Sequence, residues 1–200
     1  MQNLTDKLLE KLDSLILTNN QPVILFITGA SGAGKTYLVE QMEQIISHKK
    51  LEYFKFDTIG VPTFGEMVSE FGSGEKWQEN ATQQWVKRFA TDKTLPPVII
   101  LEGQYNLDFA IEACKKFGVE EYRIVVATVP DKVMTERLIS MRNQPELVNE
   151  NMFNWSKFLR TQGEAKGALI LDTSAITTEE AINHLLEELL ELIRRPLKNR

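Results

Sequence analysis

The stretch Gly29-Ala30-Ser31-Gly32-Ala33-Gly34-Lys35-Thr36 decides how this chain is read. It fits G-x-x-x-x-G-K-[ST] at every constrained position. Each constrained residue has a chemical task. The glycines let the backbone turn tightly and approach an anion. Successive backbone N–H groups then converge on a β-phosphate, and the helix that follows adds its positive end. Lys35 is expected to reach the β- and γ-phosphates, and the Thr36 hydroxyl to ligate Mg²⁺.

The flanks supply the context this loop requires. Pro22-Val23-Ile24-Leu25-Phe26-Ile27-Thr28 is a short apolar run of the kind that forms a buried parallel strand. After the loop, Tyr37, Leu38, Met42, Ile45 and Ile46 recur at helical spacing. Further out, strands and helices alternate. Strands are expected over 22–28, 51–56, 97–101, 122–129 and 168–171. Helices are expected over 34–47, 65–71, 76–91, 106–117, from Asp131 to Met141, over 153–163, and from a Thr177 or Thr178 cap to Ile193. A leading amphipathic helix over 3–18 carries Leu4, Leu8, Leu12, Leu15 and Ile16 on one side. Alternation of this kind implies an α/β fold with a parallel sheet covered on both faces.

The whole chain, 1–200, reads as a single domain. Its 42% hydrophobic and 26% charged residues are those of a soluble globular protein. A net charge of −5 argues against nucleic acid as the main partner, the only basic run being the tail 194–200. Cys114 is the sole cysteine, which excludes an intrachain disulfide and a cysteine-rich metal site. No run is apolar enough to suggest a membrane span, and the polar start does not resemble a signal peptide. A cytoplasmic monomer or homodimer is the expectation.

In open α/β sheets ligands bind beyond the carboxyl ends of the strands. Asp57 stands there, either as a base for an acceptor hydroxyl or as an Asx-type turn residue. Glu102, after four apolar residues, stands where an acid would hold Mg²⁺ directly or through water. Gln104 is placed to bond a substrate or to satisfy the loop backbone. Arg137 and Arg142 precede a polar segment, 143–152, with the composition of a mobile lid, and arginine suits a transferring phosphoryl group. Five residues apart is roughly 140° round an α-helix, so the pair need not share a face. Arg160 is a weaker candidate. Trp85 belongs with core packing, and Trp77 either packs or lines an acceptor pocket. His48 and His184 read as surface residues.

On these residues the chain resembles the P-loop small-molecule and nucleotide kinases, the class of adenylate, shikimate, gluconate and zeta-toxin-like kinases. Gly29–Thr36, Asp57, Glu102, Glu136-Arg137 with Arg142, and Asp172-Thr173-Ser174 carry the resemblance, which spans most of 22–193. The runs Phe56–Pro62, Leu101–Gln104 and Leu171–Ser174 are similar to those of bacterial P-loop ATPases or kinases. The resemblance implies a three-layer sandwich around five parallel strands in the order 2-3-1-4-5. It also implies ATP as donor, Mg²⁺ as cofactor, a closing lid at 143–152, an acceptor-binding insert at 59–96, and adenine near Ser174-Ala175-Ile176. The departures are informative: an Asp-Arg pair after strand two is missing, and Glu102-Gly103-Gln104 stands where shikimate kinases have three glycines. The expected function is phosphoryl transfer from Mg·ATP to a small-molecule hydroxyl. A nucleotide-dependent switch or ATPase partner, and a zeta-toxin-like nucleotide-sugar kinase, are the alternatives.

Overall fold

The computed structural model describes residues 1–15 and 21–194, the last of these for its backbone alone. Sixteen to twenty and the tail from 195 lie outside the described residues, and with them Ile16 and the basic end.

The apolar run before the loop becomes β1 (Val23–Thr28), with all six residues buried. It is the middle strand of a parallel five-stranded sheet ordered β2-β3-β1-β4-β5. The others are β2 (Leu51–Lys55), β3 (Val98–Gly103), β4 (Tyr122–Thr128) and β5 (Leu169–Asp172). Side chains of a strand alternate between faces, and β1 divides accordingly. Val23, Leu25 and Ile27 enter one core, and Ile24 and Phe26 enter the other. β3 does the same, with Val98 and Ile100 against Ile99 and Leu101.

The first core is closed by α1 (Gln2–Ser14), α2 (Lys35–Ile45) and α8 (Thr178–Arg194). Leu8 and Leu12 of α1 are fully buried there. At roughly 2 kcal/mol for each buried leucine, this burial outweighs any propensity term in docking α1. The second core is closed by α4 (Gly74–Thr91), α5 (Leu107–Phe117) and α7 (Glu150–Lys166). Helices on both faces complete the three-layer sandwich. The short α3 (Phe64–Phe71) has no buried residue, though Met67 and Phe71 rest against the second core. A reciprocal Thr63–Glu66 capping box starts it.

Several element ends fall elsewhere than periodicity suggests. β2 stops at Lys55, and Phe56–Ile59 is a 3₁₀ turn, so Asp57 sits in the turn rather than at a strand end. β3 runs through Glu102 to Gly103. α7 begins at Glu150, because the Asn149 side chain caps it by accepting from the Met152 N–H at 3.0 Å. The largest departure follows α6 (Asp131–Glu136). There the expected helix to Met141 gives way to a π turn over Arg137–Met141. Of the histidines, His184 is exposed, and His48 is half-buried at the surface, where its ring meets the exposed Asp13 at 3.1 Å. Trp77 packs edge-on to Phe56, and Trp85 is buried with its indole N–H donating to the Phe56 carbonyl at 3.0 Å.

Candidate active site

The loop Gly29–Thr36 leaves the end of β1 and feeds α2, whose first residue is Lys35. Gly29 has φ +151°, and a Cβ there would run into the Ala127 carbonyl of the neighbouring strand. Only glycine lets the chain leave β1 this close to β4. Lys35 is 6% exposed, and its Nζ donates to the Ala30 carbonyl at 3.1 Å, folding over the loop it closes. Burial pushes the Lys35 ammonium down to about 8; Glu102 opposes the shift, Arg142 adds to it and Asp57 opposes it. Lysine, both acids and Arg142 therefore share one electrostatic neighbourhood.

Thr36 and Glu102 meet. The Thr36 hydroxyl lies 3.3 Å and 3.2 Å from the two Glu102 carboxylate oxygens. Glu102 is 5% exposed. Burial raises its carboxyl, with Lys35 and the Thr36 hydroxyl opposing. A hydroxyl and a carboxylate at this separation are hard oxygen donors suited to Mg²⁺. Among the described residues no three His, Cys, Asp or Glu side chains gather to hold a metal by themselves. A cation at Thr36 and Glu102 would complete its shell from phosphate oxygens and water.

Arg137 is held rather than free. Its Nη1 donates to Thr173 Oγ1 at 2.8 Å and to the Gly32 carbonyl at 3.3 Å, and Nη2 donates to the Thr173 carbonyl at 3.1 Å. Thr173 Oγ1 donates in turn to Ala33 O at 2.9 Å. The residue after β5 thus ties both the arginine and the phosphate loop. Arg142 is exposed. Its N–H donates to the Arg137 carbonyl at 3.1 Å, the i to i+5 bond of the π turn. This wider turn brings residue i+5 back over residue i. Both arginines consequently line one cavity of about 640 Å³, together with Gly34, Lys35, Thr36 and Thr173. Ile176, Thr177, Thr178 and Ala181 line its far end. Arg160 is instead paired with Glu164 at 2.9 Å on the surface of α7.

Asp57 is exposed in its turn, within electrostatic reach of Lys35 and Glu102. Segment 143–149 contains a 3₁₀ turn over Pro145–Leu147. Leu147, Val148, Met152 and Phe153 pack against Ala30, Val129, Met134 and Leu138, beneath the loop. The structure gives new weight to Thr173, to Gly103 and to the contact between Ser31 and Gln104. Asp172-Thr173-Ser174 was visible by resemblance, but no spacing marks the threonine as the hub.

The sheet order, the loop and its paired acid define the P-loop kinase fold. No protein-family model and no curated protein matches the sequence. Solved structures match it in fold. A shikimate kinase from Acinetobacter baumannii, in complex with shikimate, is 15% identical with a TM-score of 0.51, over 87% of this chain and 94% of its own. A gluconokinase from Sinorhizobium meliloti 1021 is 16% identical with a TM-score of 0.55, over 88% and 95%. The Deinococcus radiodurans tunicamycin resistance protein is 16% identical with a TM-score of 0.57, over 90% and 100%. Among the described residues no helix is long and apolar enough to cross a membrane.

The Lys35 value carries a pH prediction. A phosphate beside the ammonium favours its charged form and raises its pKa from about 8. Between pH 8 and 9.5 nucleotide binding should therefore take up protons, and affinity should fall as pH rises. Calorimetric titration with ADP in buffers of different ionisation enthalpy measures the uptake. Pre-loaded, pH-independent affinity across this window would contradict it.

Proposed function

We propose that the chain is an ATP-dependent phosphotransferase acting on a small-molecule hydroxyl, working in the cytoplasm where Mg·ATP is plentiful. The observation that carries this reading is the Thr36–Glu102 contact, with Lys35 and Thr36 lining the same cavity as Arg137 and Arg142. The fold likeness to sugar and shikimate kinases supports it.

Backbone N–H groups of Gly29–Thr36 and the Lys35 ammonium bind the β- and γ-phosphates. Thr36 and Glu102 would hold Mg²⁺, which when bound would neutralise phosphate charge. Arg137, fixed on Thr173, and Arg142, which immediately precedes the lid segment 143–152, close on the cavity they both line and neutralise charge on the transferring phosphoryl group. The insert 59–96 presents the acceptor. The acceptor oxygen bonds to the γ-phosphorus as the bond from that phosphorus to the β–γ bridging oxygen breaks. Asp57 takes the hydroxyl proton, and ADP carries away the electron pair. Positioning and charge stabilisation account for the rate.

The test is ATP-to-ADP turnover across a panel of hydroxyl-bearing metabolites. Asp57→Asn should lower acceptor-stimulated turnover about a hundredfold while leaving nucleotide affinity within about twofold. Unchanged stimulated turnover in that variant would sink the assignment of the base. For the metal, Glu102→Gln should raise the Mg²⁺ concentration needed for half-maximal turnover about tenfold. An unaltered Mg²⁺ requirement would remove Glu102 from the metal site.

A further inference from the structure

The turn after β3 is tied to the phosphate loop, α4, α7 and β1. Gln104 Nε2 donates to Ser31 Oγ in the phosphate loop at 3.0 Å. The Gln104 carbonyl accepts from Gln78 Nε2 of α4 at 3.2 Å, and Gln78 Oε1 accepts from the Asn106 N–H at 2.9 Å. From α7, Gln162 Oε1 accepts from the Leu107 N–H at 2.9 Å, and its Nε2 donates to Asn106 Oδ1 and Asp108 Oδ2 at 2.7 Å each. Tyr105 fixes the same turn to β1, its N–H donating to Thr28 Oγ1 at 3.2 Å, and Thr28 Oγ1 donating back to the Tyr105 carbonyl at 2.9 Å.

These bonds are not needed to build the sheet. The strand register is set by backbone pairing, which ends for β1 and β3 at Thr28 and Gly103. Ser31 is 5% exposed and Gln162 9% exposed, so both are spared competition from water. Gln78 and Gln162 come from helices next to the acceptor side and the lid of the proposed reaction centre. α4 belongs to the insert, and α7 follows segment 143–149.

We propose that Gln104 is a positioning residue that couples occupancy of the phosphate loop to the placement of α4, and so of the acceptor side. This rests on the reading of Gly29–Thr36 as a nucleotide cradle. Gln104 acts through Ser31 on one side and through its own carbonyl on the other. It touches no reacting atom. When phosphate fixes the loop, Ser31, which already accepts from the Gln104 amide, is held in place, the 104–106 turn stiffens, and Gln78 transmits this to the first turns of α4. Coupling of this kind is established by perturbing both ends, not by adjacency.

The experiment is amide hydrogen exchange on the full-length chain with and without Mg·ADP, alongside calorimetric affinity. In the wild type, nucleotide should protect loop 29–36 and also slow exchange over 74–82 by roughly fivefold, the equivalent of one tightened hydrogen bond. Gln104→Ala and Ser31→Ala should each erase the α4 protection. Gln104→Ala should keep loop protection and hold the ADP affinity within about threefold, the loop's backbone donors being untouched. The double variant should lose no more α4 protection than either single one. Persisting α4 protection in Gln104→Ala overturns the inference, and so does loop protection with none on α4 in the wild type. Failure of the wild type to protect 29–36 overturns the nucleotide reading itself, and this inference with it.

Discussion

Lys35→Ala is expected to lower nucleotide turnover about a thousandfold and to weaken Mg·ATP binding at least tenfold, with the fold intact. The opposing effects can be separated by magnitude. A lysine whose pKa falls from 10.5 to about 8 costs the folded state about 3 kcal/mol at neutral pH, because burial disfavours its charge. The sign follows from proton binding. Between pH 8 and 10.5 the unfolded chain holds the proton more tightly, so stability rises as pH climbs through that window. Below pH 8 the full cost applies. Lys35→Met, which keeps the methylene packing, should therefore raise the midpoint of thermal unfolding at pH 7, or leave it unchanged, while abolishing turnover. A buried cation retained against stability points to function. Equal nucleotide affinity in the wild type and both variants, by calorimetry, would falsify the role given to Lys35.

The second large effect is on stability. Gly103→Ala should destabilise the fold by about 3 kcal/mol, lowering the thermal midpoint by roughly 10 °C. Gly103 ends β3 next to Glu102, and a Cβ there would run into the Phe56 Cβ. Phe56 has no room to yield. It is 1% exposed, its ring lies 5.2 Å from Tyr105 and 6.2 Å from Trp77, and its carbonyl takes the Trp85 indole N–H. The backbone must move instead, either the end of β3 or the turn that carries Asp57. The same substitution should thus lower turnover in the fraction that remains folded, because it separates Asp57 from Glu102. Chemical denaturation gives the first quantity. An unfolding free energy within 0.5 kcal/mol, about the scatter of surface substitutions, would refute the clash.

The loop and the sheet were legible because their signals are local and redundant. Gly29–Thr36 is a contiguous motif, and the apolar runs of β1 and β3 are uninterrupted because both faces are buried. The strand order came with the resemblance, not with any residue count. Glu102 was found because an acid ending an apolar strand beside such a loop has few other uses. What escaped depends on contacts distant in sequence. Thr173 meets Ala33 across 140 residues, and Gln104 meets Ser31 across 73. Neither polar residue sits in a pattern that announces a partner. Asp57 was placed one residue beyond its strand, but its 3₁₀ turn was not expected, since Phe56 reads as strand by propensity and is turned by its burial under Trp77 and Trp85. The Asp13 partner of His48 also lies far off in sequence, on α1, which only tertiary packing brings close.

The π turn at Arg137–Met141 acts on the helix as a one-base insertion acts on a reading frame. Met134 and Leu138, four residues apart, both stay buried. By its end the chain has gained one residue on uninterrupted α-helical counting, a displacement of about 100°. A face assigned by α-helical periodicity across this segment is therefore displaced by the time the chain reaches Arg142. Regularity and use are opposed here. An unbroken α-helix would have better hydrogen-bond geometry, and it would turn Arg142 away from the cavity that Arg137 already lines.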